Sequence, residues 1–78
     1  MRLRVEFTVE PFVPGSPGAH VQAAVDAARA HGLEIDFQAF GSALEGESPA
    51  VLDAVDAVLR AAIGAGATRV SYQVTRAD

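Results

Sequence analysis

Gly41-Ser42-Ala43-Leu44-Glu45-Gly46 lies near the middle of the chain, opens and closes on glycine, and carries a single carboxylate. It reads as a short strand. On either side of it stand a strand-like run, a helix-like run and a turn, so the hexad begins the second of two β-α-β halves. Every other assignment follows from that division.

Working upstream, residues 2 to 10 alternate strictly. Leu3, Val5, Phe7 and Val9 fall on one face, and Arg2, Arg4, Glu6, Thr8 and Glu10 on the other, the mark of a half-buried strand. Residues 11 to 18 hold three prolines and two glycines and predict an ordered loop in which Phe12 and Val13 cover something. A helix follows from Ala19 to about His31, with Val21, Ala24, Val25 and Ala28 on one stripe and Gly32 positioned to close it. His20 and His31 read as exposed residues near its two ends, His31 favoured by the helix dipole. Leu33, Ile35, Phe37 and Ala39 alternate with Glu34, Asp36, Gln38 and Phe40 as a second amphipathic strand, in which Phe40 is an aromatic on the polar face. The junction at Gly41 suits a tight hairpin.

Downstream, Ser48-Pro49 predicts an N-cap hydroxyl followed by proline in the first turn. Val51, Leu52, Val55, Val58, Leu59, Ala62 and Ile63 predict the apolar stripe of the principal core helix, which ends near Gly64-Ala65-Gly66. The last strand alternates Val70, Tyr72 and Val74 against Ser71, Gln73 and Thr75. The order β-α-β-β-α-β predicts an α+β, ferredoxin-like sandwich: one domain over residues 1–78, an antiparallel sheet in the order 4-1-3-2, and both helices on one face.

Composition narrows the chemistry. The chain has 78 residues, half of them apolar but few aromatic. A domain this small buries only roughly 60 to 65% of its unfolded surface, so self-association is expected to supplement its core. Cysteine is absent, which removes disulfides, thiolate metal sites and a cysteine nucleophile. Lysine is absent too, which removes Schiff-base chemistry. The net charge is −4 and the arginines are scattered singly, so no basic patch serves a phosphate backbone and nucleic acid is not an expected partner. No apolar run approaches the length of a bilayer span and no signal-like core follows Met1; the expectation is a cytoplasmic protein without membrane contact.

The uncovered sheet face is predicted to carry Arg4, Glu6, Thr8, Gln38, Phe40, Ala43, Glu45, Ser71 and Gln73. This fold hosts many functions, and the site must choose between them. Copper-chaperone chemistry needs a Cys-x-x-Cys loop. Acylphosphatase-type hydrolysis needs an arginine in the first loop and an asparagine on the sheet. RNA-recognition modules need several sheet aromatics among basic residues. None of these sets is present, and no carboxylate dyad or histidine-nucleophile pair is placed by a motif. Small-molecule binding and pure assembly remain.

Across nearly its whole length the chain resembles the small thiamine-binding protein family. The resemblance rests on Val5-Glu6-Phe7-Thr8-Val9-Glu10-Pro11, on the central hexad set against the family pattern Gly-Thr-x-x-Glu-Gly, and on Gly66-Ala67-Thr68-Arg69-Val70. Ser42 replaces the usual threonine and keeps its hydroxyl. Phe12 stands where leucine is frequent, in a loop richer in proline and glycine. The resemblance implies a ferredoxin-like chain that binds thiamine or its hydroxymethylpyrimidine half and forms a homodimer or homotetramer through the open face or edge strands. Glu45 is then the expected partner of an aminopyrimidine edge, since a carboxyl group can meet a ring nitrogen and an exocyclic amine together. Glu6 or Glu10 would attract the cationic thiazolium and Phe40 offer it a π face, with Thr8, Ser42 and Gln38 fixing orientation. No catalytic residue, metal or further cofactor is expected. The competing readings are an exposed Glu45–Arg4 pair, Phe40 as a subunit contact, and an assembly module without any small ligand.

Overall fold

The computed structural model describes residues 1–11, 18–38 and 41–78. Six elements follow one another as β1 (Arg2–Glu10), α1 (Ala19–Ala30), β2 (Asp36–Gln38), β3 (Gly41–Glu47), α2 (Ser48–Gly64) and β4 (Arg69–Arg76). The strands form one sheet in the order β2-β3-β1-β4. All three pairings are antiparallel. The loop reading of residues 12–17, including Phe12 and Val13, lies outside the described residues.

β1 organises the sheet. Its alternation becomes alternation of burial: Leu3, Val5, Phe7 and Val9 are buried, and the residues between them are exposed or half-buried. The four buried residues share one core cluster with Val21, Ala24 and Ala28 of α1, Val51, Val58 and Ala62 of α2, and Leu44 of β3. Both helices therefore cover the same face. The core is built from small side chains, the largest that are completely enclosed being Val5, Val51 and Val58. Gly46 belongs to this close packing, because a Cβ there would stand 3.0 Å from Leu33 Cδ2 and 3.5 Å from Val51 Cγ2.

The helices end where glycine permits it. After α1, Gly32 takes φ +76°, its amide donates to the Arg29 carbonyl at 2.9 Å, and the Leu33 amide donates to Ala28 at 3.3 Å. After α2, Gly66 takes φ +108°, its amide donates to Ile63 at 3.2 Å, and the Ala67 amide donates to Ala62 at 2.9 Å. Both are Schellman closures, which require a left-handed residue after the helix. Nothing lies within 4 Å of the position a Gly66 side chain would take, so Gly66→Ala tests the backbone term alone. A loss of about 1 to 2 kcal/mol in urea denaturation is expected.

Three local readings differ from the sequence expectation. β2 begins at Asp36 rather than near residue 33, because Leu33 and Ile35 pack partly against the core before cross-strand pairing starts. Ser48 lies inside α2 and makes no side-chain cap; its amide donates to the Met1 carbonyl at 2.8 Å, continuing the β1–β3 ladder into the helix start, and Glu47 holds the N-cap position. The third difference concerns α2. Val51, Ala54, Val58 and Ala62 are buried, whereas Leu52, Leu59 and Ile63 are 53%, 40% and 51% exposed. At 100° per residue the apolar stripe is wider than the contact it makes, and its flank is left in solvent.

Candidate functional site

Pairing decides what the open face presents. Along β1, Arg4 stands between Glu45 of β3 and Thr75 of β4, and Glu6 stands between Ala43 and Gln73. Thr8 pairs with Ser71 of β4. Gly41 approaches Thr8 so closely that a Cβ on it would meet Thr8 Cγ2 at 3.4 Å and the Phe7 carbonyl at 3.1 Å. Small residues on β3 thus leave room beside the polar residues of β1.

That room is a cleft of about 410 Å³ lined by Glu6, Phe7, Thr8, Gly41, Ser42, Ser71, Tyr72 and Gln73. Side chains alternate across a sheet, so the lining divides in two. Glu6, Thr8, Ser71 and Gln73 project from the open face and form walls. Phe7 is buried beneath the sheet, and Tyr72 donates its hydroxyl to the Val55 carbonyl of α2 at 2.9 Å. These two offer the cleft their main chain and close its floor from below, their rings 5.8 Å apart. Ser42 pairs with Phe7 and so takes the helix-facing side of β3, contributing backbone rather than a projecting hydroxyl.

The sequence-predicted residues separate accordingly. Glu6, Thr8 and Ser42 come together in the cleft. Glu45 does not line it; it is exposed two residues beyond Ala43, opposite Arg4. Of the competing Glu45–Arg4 pair the structure has the cross-strand register, but the Arg4 side chain turns to Glu6, Nε to Oε1 at 3.6 Å. The Gln38 backbone pairs with Gly41 at the cleft's β3 side. Phe40 lies outside the described residues. Ser71 and Gln73 were placed on the open face by the sequence but not among the expected ligand contacts; their pairing with Thr8 and Glu6, which follows from the adjacency of β4 to β1, brings them into the cleft lining.

Among the described residues no group of three or more acidic or histidine side chains could hold a metal ion, and no polar or charged residue is buried. His31 Nδ1 bonds the Ala27 carbonyl at 3.1 Å and His20 bonds the Pro11 carbonyl, so both histidines serve local backbone. Among the described helices none is long and apolar enough to cross a membrane.

The surroundings of Tyr72 favour its neutral phenol. Burial first, and the nearby Asp56 charge second, push its phenol up from 10.0 to about 12. A raised folded-state value means that the neutral phenol is the form the fold prefers. Its contribution to stability is therefore complete below pH 10 and lost as pH rises toward 12. Spectrophotometric titration of this single tyrosine is expected to show a midpoint near 12 in the folded chain and near 10 in urea.

The sequence model of the thiamine-binding protein family matches residues 5–78. The chain belongs to the thiamine-binding protein family. No curated protein matches it. Solved structures that share the fold include a DUF77 domain of unknown function from Bacillus cereus, at 25% identity over 96% of this chain and 73% of that one, with a TM-score of 0.68. A protein of Streptococcus pneumoniae superposes with a TM-score of 0.71 at 21% identity, covering 96% of this chain and 83% of its own. A Thermotoga maritima protein described as a candidate in thiamine biosynthesis or salvage gives 0.66 at 21% identity, covering 96% and 81%. Membership of the thiamine-binding protein family and the location of the cleft are independent observations, one from sequence over the chain and one from geometry at the sheet.

Proposed function

We propose that this chain is a non-catalytic binder of thiamine or its hydroxymethylpyrimidine half, and that the ligand sits on the open sheet face between β3, β1 and β4. The observation that carries the reading is the convergence of Glu6, Thr8, Ser71 and Gln73 on one cleft in a chain of the thiamine-binding protein family. Its volume falls within the roughly 300 to 1,000 Å³ of small-molecule sites. The carboxamide of Gln73 offers a donor and an acceptor side by side, which is what an aminopyrimidine edge presents in complement. Glu6 supplies the one carboxylate of the cleft for an amine or a cationic ring. The Thermotoga relative, described in terms of thiamine biosynthesis or salvage, is consistent with the same ligand class. The role proposed is storing, sensing or delivering the vitamin.

Calorimetric titration with thiamine and, separately, with hydroxymethylpyrimidine tests the proposal. Saturable binding of either is expected. The chain has one tyrosine and no tryptophan, so the fluorescence of Tyr72, whose backbone floors the cleft, should change with the same midpoint. Absence of heat with both compounds would leave the second reading, an assembly module, which the solvent-exposed flank of α2 favours.

A further inference from the structure

The cleft occupies two successive rows of the open sheet face, Glu6 beside Gln73 and Thr8 beside Ser71. The row on either side of it holds an arginine. At one end Arg4 stands between Glu45 and Thr75, and at the other Arg69 pairs across the ladder with Glu10. Rows on one face are about 7 Å apart along a strand, so both arginines stand within about one Debye length of the cleft walls at physiological salt. Both are already engaged. Arg4 Nε lies 3.6 Å from Glu6 Oε1, and Arg69 Nε lies 3.6 Å from Glu10 Oε2.

No other cation is placed to substitute for them. The chain has no lysine, and residues 12–17, 39 and 40 include no arginine or histidine. Arg2 and Arg76 meet acids of their own at 3.8 Å, Glu47 and Asp78. Arg29, Arg60 and the two histidines sit on or beside the helices, in the other layer. Acids are in excess on the open face. Glu45 is the cross-strand neighbour of Arg4, and Asp36, opposite Ala43, shares the same side of the sheet. Around the cleft the carboxylates of Glu6, Glu10, Glu45 and Asp36 thus outnumber the guanidinium groups of Arg4 and Arg69.

This balance bears on what a bound pyrimidine can carry. Thiamine and hydroxymethylpyrimidine each end in an alcohol, and the phosphate ester of such an alcohol adds about −1.5 to −2 charges at pH 7. Phosphate sites supply arginine, lysine or the free amides of a helix N-terminus. Here β1, the central strand, commits its amides to the ladders on both sides. An arginine drawn to a phosphate would leave its own glutamate beside a like charge. Thr8, Ser71 and Gln73 are neutral donors and acceptors that serve an alcohol without any such cost.

We propose that the cleft selects its ligand by charge: it takes the free alcohol, neutral or cationic, and rejects the phosphate ester, because the Arg4–Glu6 and Arg69–Glu10 pairs withhold the two nearest cations. The inference rests on the ligand reading above and adds to it the chemical form that is carried.

Calorimetric titration of the full chain at about pH 7.5 compares thiamine, thiamine monophosphate and O-acetylthiamine, which blocks the same hydroxyl without adding charge. In about 50 mM salt the monophosphate is expected to bind at least about tenfold more weakly than thiamine, and the gap to narrow in about 500 mM salt, where the repulsion is screened. The acetyl ester is expected to stay within about threefold of thiamine, since it meets no repulsion. Glu10→Gln, at a half-exposed position, releases Arg69 and should narrow the gap between thiamine and its monophosphate at least about threefold, with unchanged far-UV circular dichroism. Equal affinity for thiamine and its monophosphate overturns the inference and leaves the ligand reading intact. An acetyl ester rejected as strongly as the phosphate, or a gap that neither salt nor Glu10→Gln changes, places the selection in shape and overturns it as well. Failure of thiamine and hydroxymethylpyrimidine alike to bind overturns the ligand reading and this inference together.

Discussion

Phe7→Ala is expected to be strongly destabilising. Phe7 sits on the central strand, is 5% exposed, and touches the ring of Tyr72 from the helix side. Its neighbours in the core are mainly valines and alanines. Removing a buried phenylalanine costs about 3 to 5 kcal/mol when the surroundings cannot collapse into the space. A chain of this length holds about 4 to 12 kcal/mol in total, so the loss consumes from about a quarter to all of it. The small side chains around Phe7 cannot compensate, because none is long enough to reach into the vacancy. Urea denaturation followed by circular dichroism, at one fixed protein concentration, measures the effect. A loss below about 1 kcal/mol would mean that the load is carried away from β1, against the packing described above.

Glu6→Gln is expected to weaken thiamine binding by about 10- to 100-fold, the equivalent of about 1.5 to 3 kcal/mol for a charge-assisted hydrogen bond. Glu45→Gln, measured beside it, should stay within about twofold of wild type. The contrast follows from register. Glu6 walls the cleft and is steadied by Arg4 at 3.6 Å. Glu45 stands one rung further along, opposite Arg4, outside the lining. Both residues are exposed, so neither substitution should alter stability appreciably. If Glu45→Gln destroys binding and Glu6→Gln does not, the ligand lies along β3 toward Arg4, and the cleft assignment fails while the family membership stands.

The particular residues show why part of this was legible and part was not. β1 was readable because strict alternation has one solution once a face is buried, and the order of elements followed from the same logic. Both helix ends were readable because a left-handed position after a helix nearly demands glycine, and Gly32 and Gly66 supply it. The buried face of α2 was not readable in the same way. Its seven apolar residues span a wider arc than one packing contact needs, and only the positions of α1 and the sheet decide that Val51 and Val58 go in while Leu52 and Ile63 stay out. Ser48 misled for a related reason: its cap chemistry is sound locally, but the β3 ladder claims its amide. At the site, residue types were readable and their meeting was not. Composition placed a carboxylate on the open face, but the offset between β1 and β3, set by the intervening turns, chose Glu6 over Glu45 for the cleft.

The alternation along β4 has a consequence for how such a molecule can be changed. Ser71 and Gln73 face the cleft, while Val70 and Tyr72 pack against the core on the other side of the strand. Neighbouring codons in one short segment therefore govern separate properties. An engineer could recut the recognition of a new heterocycle through positions 71 and 73 and leave the positions between them untouched.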